Sequence, residues 1–383
     1  MILASSPALR LLPRVAAAGA FALGLSGCGG VRDMTASIGV AASGVLGPKD
    51  AGAPTREQIF IASTRKDKEA PDGALHETLE SVSVPPGHKP GEVELPGFGR
   101  ADPKRHFVMA GSRALDEEEF KNEIASHISG RVGAGRDILL YVHGFNTSLE
   151  EARFRLAQIA VDARFAGVPV LFTWPSQKSL FTYEADKDRA SASRDALADF
   201  MRELSEVPGV GRVHILAHSM GGWLSMEALH ENAVAGHPDL DGKLGEVMLA
   251  APDIDLAVFR QQMRPLVGRA HVSVLASRDD RALTLSSKIA GDRPRVGALD
   301  PSKPEELAQL RQLGVAVYDV TSFSRDFVGH GVYASAPPVI ATIGAEIARP
   351  RQGEAPTMAG AATLEPEPPS PPPIESVALP PPQ

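Results

Sequence analysis

The stretch RVHILAHSMGGWL at 212–224 constrains the fold of this chain more than any other segment does. Its first five residues predict a buried β-strand and its last residues begin a helical pattern, so Ser219 lies where the strand turns into the helix. Such a turn requires small residues two positions before and two positions after the serine, because strand and helix pass very close to each other. Ala217 and Gly221 meet this requirement. The pattern therefore predicts a serine held on a strained turn, with the dipole of the next helix directed at it.

Short apolar runs alternate with helical patterns over most of the chain. Helical spacing is clear at 156–163 and at 197–204, and Ser148 with Glu151 forms a capping box before the first of these helices. Several runs are continuously apolar, which is typical of strands covered by helices on both faces. The alternation predicts an α/β fold with a mostly parallel, doubly covered, eight-stranded sheet. The first two strands have no helix between them and predict an antiparallel edge. The strands are expected at 58–62, 105–110, 137–142, 168–173, 212–216, 246–250, 271–276 and 315–320.

Two later segments supply the groups that an attacking serine needs. His330 follows the last predicted strand and lies between two glycines, which leave its ring free to reach a neighbouring loop. VLASRDDRAL places Asp279 and Asp280 after the seventh strand, where a carboxylate can orient an imidazole and stabilise its cation. We predict that Asp280 is this acid, because a helix-like start follows it, with Asp279 as its rival. Asp253, after the sixth strand, is a further alternative, although it could instead cap the helix that follows.

YVHGFN at 141–146 follows an earlier apolar strand and predicts a second loop beside Ser219. An acyl-transfer intermediate needs two converging N–H donors, since the loss of one costs about 2.7–4 kcal/mol. We assign these donors to the backbone amides of Phe145 and Met220. His143 is expected to be a structural residue turned beneath the loop.

These motifs, together with IASTR at 61–65, FTWPS at 172–176 and LAAPD at 249–253, resemble a bacterial family of α/β hydrolases of unassigned function. The resemblance covers about residues 55–345. It implies the α/β-hydrolase fold, a Ser-Asp-His site and esterase- or lipase-like chemistry, with no metal or organic cofactor. The chain order Ser219, Asp280, His330 is the order that this fold requires.

A large cap domain is not expected. Cap domains of this fold usually follow the sixth strand, but here only residues 256–270 separate that loop from the next strand, enough for one helix. The segments at 176–190 and 284–312 are the two that could still fold over the site. An uncapped site suits small or surface-presented esters.

The amino-terminal segment predicts export and lipid anchoring. Arg10 and Arg14 precede an apolar run at 15–25 that is too short to span a bilayer. The run leads into Leu-Ser-Gly-Cys, which resembles the bacterial lipobox, in which the cysteine, here Cys28, becomes the diacylated amino terminus. A plain signal peptide with an incidental cysteine is the alternative. By resemblance to Gram-negative lipoproteins, Gly29 in place of an aspartate favours the periplasmic face of the outer membrane, where the lipid anchors the protein without spanning the membrane.

The chain is thus expected to have four parts. These are a signal peptide at 1–27, a flexible tether at 28–55, a hydrolase domain at 56–350 and a disordered, proline-rich tail at 351–383. The tail could bind a protein partner. The formal net charge of −8 and the lack of a basic stripe argue against nucleic acid as a partner, and the one cysteine excludes an intramolecular disulfide.

Two functions from different classes are compatible with these features. The first is a serine hydrolase that cleaves small-molecule or lipid esters through an acyl-enzyme, and thioesterase, peptidase or acyltransferase chemistry would use the same machinery. The alternative is a non-catalytic envelope lipoprotein that uses a hydrolase scaffold to bind a partner. The complete set of Ser219, Asp280 and His330 favours the enzyme, because binding alone does not need all three residues in this order.

Overall fold

The computed structural model describes residues 52–65, 75–177, 182–300, 302–324, 328–349 and 377–378. Cys28 and nearly all of the predicted signal peptide, tether and tail lie outside these residues. The strands are β1 (Thr55–Ser63), β2 (His76–Val84), β3 (Val108–Leu115), β4 (Ile138–Val142), β5 (Val168–Thr173), β6 (Val213–His218), β7 (Leu244–Ala250), β8 (His271–Ala276), β9 (Ala316–Asp319) and β10 (Val377–Ala378). The helices are α1 (Glu117–Ile128), α2 (Leu149–Asp162), α3 (Tyr183–Ala192), α4 (Arg194–Glu206), α5 (Met220–Val234), α6 (Leu256–Met263), α7 (Arg281–Ile289), α8 (Pro304–Arg311), α9 (Val332–Ser335) and α10 (Pro337–Ala348).

The strands of the described residues form one sheet in the order β10-β9-β8-β7-β6-β4-β5-β1-β2-β3. Neighbours from β10 to β1 pair in parallel, whereas β1 with β2 and β2 with β3 pair antiparallel. The predicted α/β-hydrolase architecture, with a mostly parallel sheet and an antiparallel edge, is therefore confirmed. The first two predicted strands, β1 and β3, do not pair with each other, however, because β2 lies between them and pairs with both. The predicted number of eight strands is wrong, because the described residues also contain β2 and β10.

β2 has no continuous apolar run, so the sequence pattern did not predict this strand. It contains Glu77 and Glu80, which are nevertheless only 6% and 5% exposed. Glu80 Oε2 lies 3.0 Å from Nε of Arg153 on α2, which offsets only part of the cost of burial, so the pKa of Glu80 stays raised. The strand pairs with β1 along its whole length. This pairing and the ion pair are tertiary effects that outweigh the low strand propensity of glutamate.

Two further predictions about strands need correction. β3 begins at Val108 and ends at Leu115, not at 105–110, because the buried ring of Phe107 packs against His88 outside the strand, with 5.2 Å between ring centroids. β10 lies in the tail that was expected to stay out of the sheet, and it pairs in parallel with β9. Residues 374–379 contain no proline, so this short stretch keeps the backbone N–H groups that a sheet needs.

Apolar layers cover the two faces of the sheet. All side chains of β4 are buried, and Ile138, Leu140 and Val142 point into the layer formed with α1, α4, α5 and α6. Leu139 and Tyr141 point into the other layer, which α2, α9 and α10 cover. The alternation follows from the two-residue period of a strand, and burial on both faces explains the continuous apolar runs in the sequence.

The segment after β7 holds no cap domain. Residues 256–270 form α6 and a 3₁₀ turn at Arg264–Leu266 before β8 begins, in agreement with the single helix that was predicted there. Among the described residues, none of the helices combines the length and the apolar character needed to cross a membrane.

A buried charge cluster fastens the connection between β2 and β3 to α2 and α9. His88 Nδ1 lies 2.9 Å from Oε2 of Glu94, and its Nε2 lies 2.9 Å from Oδ1 of Asp162 on α2. Gly91 donates its N–H to the other oxygen of Asp162 at 2.8 Å. A Cβ on Gly91 would lie 2.4 Å from the carbonyl oxygen of Ser335 on α9, so the connection packs directly on the segment that follows His330.

We expect the stability supplied by His88 to depend on pH. Burial alone lowers the pKa of His88, but its hydrogen bonds to Asp162 and Glu94 outweigh burial and raise the pKa to about 9. Because an unfolded histidine has a pKa of about 6.5, the stabilisation is fully present below about pH 6.5 and is lost as the pH rises through about 9. His88→Gln should lower the free energy of unfolding by about 1–2 kcal/mol at about pH 6, since solvent screens this half-buried cluster, and by much less at about pH 10.

Denaturant unfolding of the wild type and His88→Gln across this pH range measures the effect. An equal loss of stability at both ends of the range would contradict the protonated cluster.

Candidate active site

Ser219 lies between β6 and α5 in a strained backbone conformation. Its φ of 54° and ψ of −119° fall outside the regions that residues with a side chain normally adopt. The Ser219 N–H donates to the carbonyl oxygen of Ala250 at 2.9 Å, and its own carbonyl accepts from Gly222 at 2.9 Å and from Asp253 at 3.2 Å. These bonds connect the turn to the end of β7 and hold the strained geometry.

Small residues allow the turn to approach its neighbours. A Cβ on Gly221 would lie 2.3 Å from the carbonyl oxygen of His143, and one on Gly144 would lie 3.1 Å from Cβ of Ser219. Ala217 is completely buried in β6. The structure therefore has the close packing around Ser219 that the spacing of small residues predicted, and it places the loop after β4 directly beside the serine.

Asp280 and His330 meet at the same edge of the sheet. They follow β8 and β9, whose carboxyl ends lie on the side where β6 leads into Ser219. Nδ1 of His330 lies 2.7 Å from Oδ2 of Asp280, so Nδ1 carries the hydrogen that the carboxylate accepts. The Asp280 side chain is completely buried, and its Oδ1 accepts from the N–H of Leu283 at the start of α7. The two loops are joined by a hydrogen bond of 3.0 Å from the backbone N–H of Arg281 to the carbonyl oxygen of Val328.

The structure places the two alternative acids away from the imidazole of His330. Asp253 accepts hydrogen bonds from the hydroxyls of Tyr183 and Ser286, both at 2.6 Å, and lies 3.2 Å from Nε of Arg295. Asp279 is exposed to solvent. The capping role considered for Asp253 belongs instead to Asp255, whose side chain accepts from the first turn of α6.

The two predicted oxyanion donors are Met220, which follows Ser219 in the chain, and Phe145, which follows the Gly144 that packs against Ser219. Met220 is the first residue of α5, where helical N–H groups lack an intrahelical acceptor. Phe145 follows Gly144 in the loop after β4. Within the described ranges, neither the Phe145 N–H nor the Met220 N–H donates a hydrogen bond to a protein group. Both amides are thus available to a ligand.

His218 contributes to the site, although the sequence analysis gave it no role. Its Nε2 lies 3.0 Å from the carbonyl oxygen of His330, which can only accept, so Nε2 carries the hydrogen. The ring stacks on Tyr333, with 4.5 Å between centroids, and its centroid is 4.6 Å from that of His330. Burial, followed by the nearby His330, lowers the pKa of His218 well below its usual range, so the ring is neutral. No sequence signal could have found this role, because it depends on a contact between distant segments.

The start of α3 lies beside the loop that carries Phe145. The rings of Phe145 and Tyr183 meet edge to face, with 5.5 Å between centroids, and the Tyr183 hydroxyl reaches Asp253 after β7. Part of the segment 176–190, named above as one that could fold over the site, therefore contacts the loops on both sides of Ser219. The described residues of this segment form a single helix and not a cap domain.

Comparisons with known proteins agree with this architecture. The sequence profile of the family described as "Alpha/beta hydrolase of unknown function (DUF900)" matches residues 116–347, more than half of the chain. No curated protein sequence matches the chain.

Solved structures to which the chain is similar include an esterase from Pyrobaculum calidifontis, with 14% sequence identity and a TM-score of 0.37 over 78% of this chain and 86% of that one. Another is a predicted CIB-like hydrolase from Thermoplasma acidophilum, with 15% identity and a TM-score of 0.33 over 76% of this chain and 96% of that one. A structure of fungal esterases from Rhizomucor miehei has 12% identity and a TM-score of 0.37 over 78% of this chain and 83% of that one.

The geometry predicts which aspartate orients His330 for its action on Ser219. Asp280→Asn should reduce the rate of Ser219 acylation by about ten-thousandfold, because the amide no longer holds His330 in the required tautomer. Asp253→Asn should weaken the contacts to Tyr183 and Arg295 and lower the melting temperature, with little change in rate. Asp279→Asn, an exposed substitution, is the matched control and should change neither quantity.

Burst kinetics with p-nitrophenyl acetate and melting curves of the three variants measure these effects. An inactive but folded Asp253→Asn beside an active Asp280→Asn would show that the acid follows β7.

Proposed function

The chain belongs to the family of α/β hydrolases of unknown function (DUF900) whose profile matches residues 116–347. We propose that it is a serine hydrolase that cleaves carboxylic esters through an acyl-enzyme. The observation that carries the proposal is the 2.7 Å contact between His330 and a completely buried Asp280, at the sheet edge where Ser219 sits on its strained turn. Ser219 is the nucleophile, His330 the general base and then acid, and Asp280 the residue that orients His330.

The orientation of His330 determines how the proton moves. Because Nδ1 donates to Asp280, Nε2 is the nitrogen that takes the proton from the Ser219 hydroxyl as Oγ attacks the ester carbonyl carbon. The carbonyl π electrons move to oxygen, and when the tetrahedral intermediate collapses His330 gives its proton to the leaving alcohol. Water then attacks the acyl-enzyme with His330 again as base, which releases the acid and restores Ser219.

The oxyanion of each intermediate needs donors that are in place beforehand. The loop that contains Phe145 lies beside Ser219, Met220 follows the serine in the chain, and neither amide has an acceptor among the described residues. Such preorganised donors stabilise the charge as it develops in the transition state and require no rearrangement. The amino end of α5 adds a favourable dipole at the same place.

A non-catalytic scaffold is the second candidate. The strained φ of Ser219 costs stability, and a binding scaffold has no need of a strained serine near a buried Asp280–His330 pair, which supports the enzyme over the binding protein. Thioesterase, peptidase and acyltransferase activities would begin with the same attack by Ser219. A panel of p-nitrophenyl esters of increasing acyl length, thioesters and peptide amides therefore serves to identify the bond that is cleaved.

Ser219→Ala should abolish labelling by a fluorophosphonate and lower ester hydrolysis by at least about a thousandfold, because Oγ is the attacking atom. The fold should remain intact, as judged by the melting temperature and circular dichroism. Residual hydrolysis within tenfold of the wild type, in protein free of contaminating esterase, would refute the mechanism, and absence of labelling in the wild type would favour the non-catalytic scaffold.

We further propose that Cys28 is lipidated and anchors the protein at the periplasmic face of the outer membrane, where it meets small-molecule or lipid esters. The support is the charged, apolar and small-residue pattern that ends in LSGC. Cys28→Ser should abolish incorporation of radiolabelled palmitate and move the protein from the outer-membrane fraction to the soluble fraction. Unchanged palmitate incorporation by Cys28→Ser would exclude this anchor, and a soluble wild type would indicate a plain signal peptide.

A further inference from the structure

A half-buried arginine lies beneath the loop that carries Phe145, and the mechanism above gives it no role. Arg65 follows β1 and belongs to the IASTR motif. Its Nε donates to Oγ1 of Thr173 at 2.6 Å, and its Nη1 donates to the carbonyl oxygen of Ser176 at 3.1 Å. Its Nη2 donates to the carbonyl oxygen of Thr147 at 2.7 Å. One planar group thus connects the ends of β1 and β5 with the loop after β4.

The same guanidinium determines the tautomer of His143. Nδ1 of His143 lies 2.9 Å from the carbonyl oxygen of Gly144, which only accepts, so Nδ1 carries the hydrogen. Nε2 is then an acceptor, and it receives hydrogen bonds from Arg65 Nη2 at 3.2 Å and from Thr173 Oγ1 at 2.9 Å. Burial, together with the charge of Arg65, lowers the pKa of His143 to about 3, which keeps the ring neutral. Arg65 therefore holds the loop at His143 and again at Thr147.

The surroundings keep the guanidinium charged and rigid. Burial lowers the pKa of Arg65 to about 10, and the carboxylates of Asp186 and Glu151 oppose this decrease. Asp186 is completely buried and accepts the hydroxyl of Ser176 at 2.9 Å, next to the carbonyl that Arg65 binds. Trp174 stacks on the His143 ring and donates its indole N–H to the His143 carbonyl oxygen at 3.0 Å.

We propose that Arg65 is the positioning residue of the oxyanion loop at 143–147. By binding the loop at both ends, it sets where the Phe145 N–H lies relative to Ser219, which the loop approaches at Gly144. This inference rests on the proposed function. It gives a role to the IASTR and FTWPS motifs, which the roles of Ser219, Asp280 and His330 leave unexplained. Lysine cannot replace Arg65, because an ammonium on a flexible stem does not reproduce the planar fork that reaches all of these acceptors together.

The effect should appear in kcat more than in KM. An oxyanion donor binds the charge that develops in the transition state, so its displacement weakens transition-state binding and leaves substrate binding almost unchanged. A displacement of about 1 Å can reduce the rate by about a hundredfold. A residue that served stability alone would lower the melting temperature without this selective loss of kcat.

Arg212 is the matched control. It is buried, and its guanidinium binds Asp137 Oδ2 at 3.1 Å and the carbonyl oxygens of Arg349 and Ile347 at 3.0 and 3.4 Å. It precedes β6 and so lies at the end of the sheet opposite Ser219. Loss of its contacts affects folding but not the site.

The experiment compares Arg65→Lys with Arg212→Lys by steady-state kinetics on a p-nitrophenyl ester and by melting curves. Arg65→Lys should lower kcat by about 10- to 100-fold with KM within about threefold of the wild type. Its affinity for a trifluoromethyl ketone transition-state analogue should fall by the same factor as kcat/KM. Arg212→Lys should lower the melting temperature and keep kcat within about twofold. Equal kcat values for the two variants would overturn the proposal.

Thr173→Val provides a second test, which remains informative if Arg65→Lys does not fold. It removes the hydroxyl that contacts both Arg65 and His143 while it keeps the shape of the side chain, and it should lower kcat several-fold with KM unchanged. Unchanged kcat in Thr173→Val would count against the proposal. Ser219→Ala distinguishes a failure of the proposed function from a failure of the role of Arg65. If Ser219→Ala remains active, the proposed function is wrong. If Ser219→Ala is inactive but Arg65→Lys and Thr173→Val both have a normal kcat, only the role of Arg65 is refuted.

Discussion

The close approach between the β6–α5 turn and the loop after β4 is the contact on which the candidate site depends. Gly221 has no room for a side chain against the His143 carbonyl, and Gly144 lies where a side chain would crowd Ser219. This proximity brings the loop that contains Phe145 beside the serine, and Met220 follows the serine directly in the chain. A single added methyl group at Gly221 would push the turn and the loop apart, because backbone atoms less than 3 Å away cannot yield as a flexible side chain does. The strained φ of Ser219 persists because the surrounding backbone bonds leave it no relaxed alternative.

His330 is held from several directions at once. Asp280 binds its ring, His218 binds its backbone carbonyl, and Tyr333 three residues later bonds through its hydroxyl to Tyr141 on β4 at 2.7 Å. The β2–β3 connection presses on the same segment through Gly91. A short loop with a glycine on either side of the histidine thereby acquires a defined position without being part of a regular element. Such support lets a surface loop carry a residue whose geometry must be held closely.

The three aspartates near the site show why neighbouring carboxylates take different roles. Asp280 is buried at the start of α7 and faces His330, whereas Asp253 is satisfied by Tyr183, Ser286 and Arg295. Asp279 precedes Asp280 by one residue and is exposed. All three follow parallel strands, so their sequence contexts are nearly equivalent. What separates them is the set of partners that the folded chain brings to each.

The sequence by itself determined the local features: the strand–serine–helix turn, the mostly parallel sheet, and the order of Ser219, Asp280 and His330 along the chain. These depend on side-chain size, on the period of apolar residues and on which residues follow which strand, and all of them are local properties. The tertiary structure alone decided that β2 joins the sheet despite Glu77 and Glu80, that β10 joins it from the tail, that Asp280 rather than Asp253 meets the imidazole, and that His218 and Arg65 support the two loops. Each of these depends on a hydrogen bond or ion pair between segments far apart in the chain. Neither propensity nor spacing encodes such a contact, because its free energy exists only once both partners have been buried together.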